Sequence, residues 1–350
     1  MTEPVPPPMP APSPAVTATV VPAPAATVVL LRSGPGGPEV LLIHRPETMA
    51  FGPGLHVFPG GRVDPEDGAA ASADQAPGAA EAAARALGDN VTPDEAIALH
   101  RAALRELREE AGIALDGVGR LAPIGHWTTP RFMPRRFSTW FFVADLPPDA
   151  VPVFEPDEVA AHRWLTPAAA LDQVASGEIR MWVPTTSVLQ RLIETSATSA
   201  AEVADRIRLA PIVPPRIDVE EPDLVRLTFG AVGALPGRSG QATLHGRREL
   251  VLVDPGDPAD AAVDLVGATV ERRGGSIRAI VLTATDPDHA AGAEALAIPL
   301  ELPILVAPGA GRHLPYATVE LTDGDRLPAD VELHVRLGPP GSGRLEIVTG

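Results

Sequence analysis

The stretch from Thr92 to Ile113 constrains this chain more than any other, because both ends of a helix are written into it. Thr92 can cap the start, Glu95 follows three residues later, and Pro93 takes the first helical position, where a missing N–H costs nothing. Gly112 closes the stretch and is suited to a left-handed turn. The interior is rich in Ala, Leu, Arg and Glu, all good helix formers. Near the end Glu106, Glu109 and Glu110 stand at i, i+3 and i+4, so the three carboxylates project to one side. Like charges on adjacent positions repel, and a helix gains nothing by placing them there unless a cation binds. Mg²⁺ is commonly held by a few carboxylates together with substrate phosphates. The alternative is a solvated acidic face among arginines.

The rest of the composition narrows the chemistry. The 350 residues suffice for two domains with real cores. Forty-five acidic against 28 basic residues give a net charge of −17. That balance disfavours nonspecific nucleic-acid binding, which depends on basic side chains releasing counterions. The absence of cysteine excludes disulfides and thiolate chemistry, so any metal is held by oxygen or imidazole. No basic residue precedes Arg32 and no long apolar run occurs, so neither a signal peptide nor a membrane span is expected, and the default location is cytoplasmic.

Residues 1–24 form a Pro-rich tail expected to be disordered. Ala25–Arg32 and Glu39–Arg45 read as strands around the turn at Ser33–Gly37. The segment Gly54–Gly61 ends in a tight glycine loop, which is either an ordinary turn or a source of backbone groups for a metal and phosphate. Residues 68–91 are Ala-rich and of low complexity, with one short helix near Ala79–Leu87. They read as a flap or decoration outside the core. Arg135–Val143 reads as a strand, with Trp127 and Phe141 as core residues.

The run Arg105-Glu106-Leu107-Arg108-Glu109-Glu110-Ala111-Gly112-Ile113 resembles the second half of the Nudix box and matches every specified position. The first half departs from the pattern: the slot for a further Glu holds Ile97, and Phe58-Pro59-Gly60-Gly61 lies far upstream, as if an insertion split the box. Such an insertion resembles the Nudix branch that includes coenzyme A diphosphatases. Leu55-His56-Val57-Phe58-Pro59-Gly60-Gly61 and the pairing of Trp127-Thr128 with Arg136-Phe137 and Phe141-Phe142 point the same way.

The second half of the chain has its own texture. Pro167–Ser176, Pro184–Glu194 and Ser199–Leu209 read as helices, and Pro211–Pro222 as a stiff linker. Strands follow at Glu249–Asp254 and from Ile277, separated by an amphipathic helix ending near Arg273. This alternation resembles a metallo-β-lactamase fold. The leading histidine slots of that superfamily's metal loop hold Ala284 and Asp286, while Asp288 and His289 match. Pro340 stands where a later histidine ligand is usual, and roughly half the usual domain is covered. The expectation is a degenerate unit without a working metal site, in which Asp288 and His289 cap a helix or line a polar loop. One sheet lacks its usual partner layer, so apolar surface is expected to be exposed, to pack on the first domain, or to support self-association.

The fold implied is α/β: a Nudix α/β/α sandwich at 25–197 with an insertion at 68–91, a helix and linker at 198–222, and a partial metallo-β-lactamase-like αββα domain at 223–350. The resemblance implies Mg²⁺ or Mn²⁺ held by Glu106, Glu109 and Glu110 with the backbone of Gly61. Glu106 or Glu109 acts as general base and Arg105 orients Glu106. Arg131, Arg135 and Arg136 are candidates for substrate phosphates, with solvated loop positions the alternative. Glu155 or Glu158 is offered as a completing carboxylate, against an ordinary surface role. The substrate implied is a small nucleoside diphosphate derivative, coenzyme A or acyl-CoA. The alternatives are another such derivative (a sugar or dinucleotide) or a noncatalytic nucleotide-sensing module.

Overall fold

A computed structural model of the chain describes residues 20–49, 52–69, 78–88, 91–129, 135–155, 159–207, 214–229, 240–256, 260–314 and 316–349. The first half runs β1 (Ala23–Gly34), β2 (Gly37–His44), β3 (His56–Val57), β4 (Gly60–Arg62), α1 (Pro65–Ala69), α2 (Ala79–Leu87), α3 (Pro93–Ala111), β5 (Ala122–Thr128), β6 (Phe137–Asp145), β7 (Ala161–Leu165), α4 (Pro167–Ala175), α5 (Val183–Thr195) and α6 (Ala200–Arg206). Its sheet has the order β3-β2-β1-β6-β5, with β4 also on β1 and β7 on β2. Strands β1 and β6 are parallel, and the other pairs are antiparallel.

Alternation along β1 builds the layers. Ala26, Val28 and Leu30 face a core shared with α2 and α3, whereas Val29 and Leu31 face a core shared with α4, α5 and α6. Because successive strand residues point to opposite faces, one central strand serves both layers. Trp127 and Phe141 are buried in the second of these cores, as expected.

Two expectations change here. Helix α2 occupies the expected Ala79–Leu87 but is not decoration: Ala83, Ala84 and Leu87 are buried against α3. Small side chains let the two helices approach closely, so an Ala-rich segment can belong to a core. The linker expected at 211–222 supplies a strand, β8 (Arg216–Glu220), paired antiparallel with β9 (Leu224–Phe229). Its alternating burial was masked in the sequence by the flanking prolines.

The second half continues with β10 (Gly240–His245), β11 (Glu249–Val253), α7 (Asp260–Arg272), β12 (Ser276–Val281), α8 (Pro287–Ala290), α9 (Ala293–Leu300), β13 (Ile304–Val306), β14 (Val319–Glu320), β15 (Leu333–Leu337) and β16 (Leu345–Thr349). Seven strands lie in the order β14-β13-β12-β11-β10-β9-β8, and β15 and β16 form a separate hairpin. Leu250 to Val253 and Ala279 to Leu282 are buried without interruption, so β11 and β12 are covered on both faces. The cluster around them joins α7 and α9 with hairpin residues Leu333, Val335 and Leu345. The hairpin therefore shares the core of this half and covers part of its apolar surface. Ile298, Leu300 and Val319 are the large apolar residues left exposed in this half among the described residues.

Among the described residues, no helix is long and apolar enough to cross a membrane.

Candidate active site

Helix α3 forms as its ends dictate. Glu95 donates its N–H to Thr92 Oγ1 at 3.3 Å, and the Glu95 carboxylate accepts the Thr92 N–H at 2.9 Å. Gly112 ends the helix at φ +66°, donating to the Arg108 carbonyl, a backbone shape that a residue with a Cβ adopts only under strain. Ile97, Ala103 and Leu107 face the core. Ile97, at the Glu slot of the split box, is thus a packing residue. The opposite face carries Arg105, Glu106 and Glu109.

Arg105 organises that face. Its Nη1 donates to Glu106 Oε1 at 2.8 Å and to Glu109 Oε2 at 3.0 Å. Its Nη2 and Nε reach the two oxygens of Asp67 at 3.0 and 3.2 Å, and Nη2 also donates to the Arg62 carbonyl at 2.9 Å. Hydrogen bonding to Asp67, then to Glu106, holds the guanidinium well above its ordinary pKa, outweighing its partial burial. Burial pushes the Glu106 carboxyl above the usual carboxylate range, and the adjacent Arg105 opposes that shift.

The glycine loop meets the helix at two points. The Gly60 N–H donates to Glu110 Oε2 at 2.8 Å. At Gly61 a Cβ would stand 2.2 Å from Glu106 Oε1, so the carboxylate occupies the space a side chain would fill. Gly61, Arg105, Glu106, Glu109 and Glu110 are thus brought together. Among the described residues, no three acidic or imidazole groups converge into a ready-made metal cage. The positive charge shared by Glu106 and Glu109 is that of Arg105.

Asp64 and Asp67 were missed in the sequence. Asp67 is only 6% exposed and lies on α1, at the edge of the segment read as an insertion. A signal was present: Asp67 stands three residues after Asp64 with Pro65 between, and its carboxylate accepts the Asp64 N–H at 2.8 Å, as at a helix start.

The arginine candidates separate. Arg131 and Glu158 lie outside the described residues, and Arg135 and Glu155 are exposed. Arg136 is not positioned for substrate phosphate. It is buried, with Nη2 on both oxygens of Asp260 at 3.0 and 2.9 Å, Nη1 on the Val20 carbonyl and Nε on the Thr129 carbonyl.

In the second half, Asp286 rather than Asp288 caps the short helix α8. It accepts the Asp288 N–H at 3.1 Å and pairs with His289 Nδ1 at 2.8 Å. Thr283 gives both its N–H and its hydroxyl to the partly buried Asp254, at 2.7 and 2.5 Å. Ala284, in the first histidine slot, is buried.

The NUDIX domain family matches residues 21–184, and the metallo-beta-lactamase superfamily matches residues 235–349. A Nudix hydrolase of Deinococcus radiodurans is 33% identical over 76 residues, which are 21% of this chain and 41% of that protein. The chain therefore aligns with less than half the length of this curated relative. Among solved structures, a NUDIX hydrolase from Alicyclobacillus acidocaldarius is 29% identical with a TM-score of 0.43, covering 54% of this chain and 97% of that one. The NUDIX domain of Shewanella oneidensis NrtR, complexed with ADP ribose, is 14% identical with a TM-score of 0.33, covering 50% and 88%. The chain carries a Nudix domain followed by a domain of the metallo-β-lactamase superfamily.

Proposed function

We propose that the chain is a divalent-metal-dependent hydrolase of small nucleoside diphosphate derivatives, using Mg²⁺ or Mn²⁺ in the cytoplasm. The observation that carries this reading is the junction of α3 with the glycine loop. Three glutamates of one helical turn are joined through Arg105 and Gly60 to a loop in which Gly61 has no room for a side chain. The donors are all oxygen, the chemistry that hard divalent ions prefer. Glu106, Glu109 and Glu110, with backbone from Gly61, are the residues assigned to hold the ion. When bound, such an ion neutralises diphosphate charge and lowers the pKa of a water molecule.

The protein's own groups supply the rest. Glu106 or Glu109 accepts the proton of the attacking water, whose oxygen bonds to one phosphorus as the bridging oxygen leaves with the other. Arg105 fixes the Glu106 carboxylate from the side. Phosphoryl substitution asks mainly for positioning and charge neutralisation, which this face is built to provide. The substrate proposed is coenzyme A or acyl-CoA, cleaved to 4′-phosphopantetheine (or its acyl form) and adenosine 3′,5′-bisphosphate. That choice rests on the resemblance of Leu55–Gly61 and of the β5–β6 segment to the coenzyme A branch.

One observation favours a second reading, a noncatalytic nucleotide sensor: the Arg105 guanidinium pairs with both Glu106 and Glu109. Incubation with coenzyme A, acyl-CoA, nucleoside diphosphate sugars and dinucleotides, with Mg²⁺ or Mn²⁺ and mass-spectrometric detection, separates the readings. Cleavage of coenzyme A first among these supports the proposal. Cleavage of another compound only replaces the substrate, and binding without turnover establishes the sensor.

A further inference from the structure

Arg136 is the one buried arginine among the described residues, and its strongest partner belongs to the other domain. A buried guanidinium is costly unless its donors are satisfied, and Arg136 reaches Val20, Thr129 and both oxygens of Asp260. Asp260 opens α7, 124 residues downstream. The pair thus spans the junction of the two domains.

The end of the sheet that it holds is the end that carries the candidate site. The Arg136 carbonyl accepts the Ala23 N–H at 2.9 Å, and Ala23 lies opposite Phe137 in the β1–β6 ladder. Two residues on, Ala25 lies opposite Arg62, whose carbonyl is bound by Arg105. On its other side Arg136 fixes Thr129, which exchanges hydrogen bonds with Phe137 and so closes the base of the β5–β6 connection. A second anchor lies elsewhere: Ala291, just after α8, is buried in the core formed with α4 and α5. The second domain is therefore held at two separated points.

We infer that the second domain serves the first as a positioning arm, with Asp260 acting through Arg136 to fix the ends of β1, β5 and β6 beside the site. This inference rests on the hydrolase reading above. It gives the second domain a role that needs no metal loop of its own. Asp260 touches no substrate in this scheme and is a positioning residue only.

The test uses the full chain with Asp260→Asn, which removes charge but keeps the shape, Asp260→Ala, and Asp260→Glu as the conservative variant. Hydrogen exchange and steady-state kinetics are measured on each, with the compound that the wild type hydrolyses best. The expected result is faster exchange at the amides of Ala23, Thr129 and Phe137, with those of β11 and β12 unchanged. KM should rise about tenfold while kcat changes by less than about threefold, the mark of weakened substrate binding rather than lost chemistry. Asp260→Glu should restore part of both. Unchanged exchange at those three amides, or faster exchange with KM unaltered, overturns the inference while leaving the hydrolase reading intact. A wild type inactive on every diphosphate tested ends the hydrolase reading, and this inference with it.

Discussion

The Gly60 N–H and the Glu110 carboxylate meet at 2.8 Å across fifty residues of sequence, tying the glycine loop to the last turn of α3. Glu110 is only 9% exposed, whereas the Glu109 side chain is 51% exposed. The glutamates therefore differ in what they support. Glu109→Gln should lower turnover by roughly 10²-fold or more and leave stability nearly unchanged, because exposed ion pairs contribute little. Glu110→Gln should lower turnover and also cost about 1–2 kcal/mol, the loss of a charge-assisted hydrogen bond in a buried setting. Urea denaturation and initial rates on each variant check both statements. Metal-dependent turnover near the wild-type rate in Glu109→Gln would remove that residue from the site.

Asp67 and Arg105 give a second test. Asp67→Asn removes the charge facing the guanidinium while keeping a side chain of the same shape. Arg105 retains Glu106 and Glu109, so the expected cost is about 1–3 kcal/mol rather than the larger loss of an isolated buried pair. Because the same guanidinium orients Glu106, kcat should fall as well. Equilibrium unfolding and kinetics that both match the wild type would show that Asp67 has no part in holding Arg105.

The pattern of what the sequence disclosed follows from range. Helix α3 was legible end to end because Thr92, Glu95 and Gly112 act within a turn of their partners. The acidic face was legible for the same reason. Asp67 was harder to find, since its value lies in Arg105, 38 residues away, although its local cap signal was there. Arg136 was misread because a basic residue beside Arg131 and Arg135 looks like part of a phosphate-binding loop, and nothing local indicates Asp260. The role of α2 was hidden by composition: alanines offer little apolar surface individually, yet two helices in close contact bury them efficiently.

Helix α2 supplies the third prediction. Leu87 is 5% exposed in the core shared with α3, so Leu87→Ala leaves a cavity that nearby alanines are too short to fill. Large-to-small changes of this kind cost about 2–5 kcal/mol. The expected shift in a urea midpoint is large for a domain of this size. A loss of unfolding free energy below about 0.5 kcal/mol, the range of neutral surface changes, would return the segment to the status of decoration.

The last prediction concerns pH. The His126 imidazole lies inside the sheet layer, with Nε2 at 2.7 Å from Ser138 Oγ and its ring 4.8 Å from that of Trp140. Burial lowers its pKa from 6.5 to about 4, so the folded protein keeps it neutral. Between those values the unfolded chain binds a proton that the folded chain does not. Acidification therefore favours unfolding, and the stability linked to this group is lost as pH falls from about 6.5 towards about 4. At pH 5 the loss amounts to roughly 2 kcal/mol by the linkage relation. The carboxylates also titrate in this range, so the comparison is made within a pair of proteins. His126→Gln retains a polar side chain for Ser138 but cannot take up a proton. Its stability difference between pH 7.5 and pH 5 should be smaller than that of the wild type by about 2 kcal/mol. Equal differences in the two proteins, measured by urea unfolding at both pH values, would show that His126 is not held neutral by the fold.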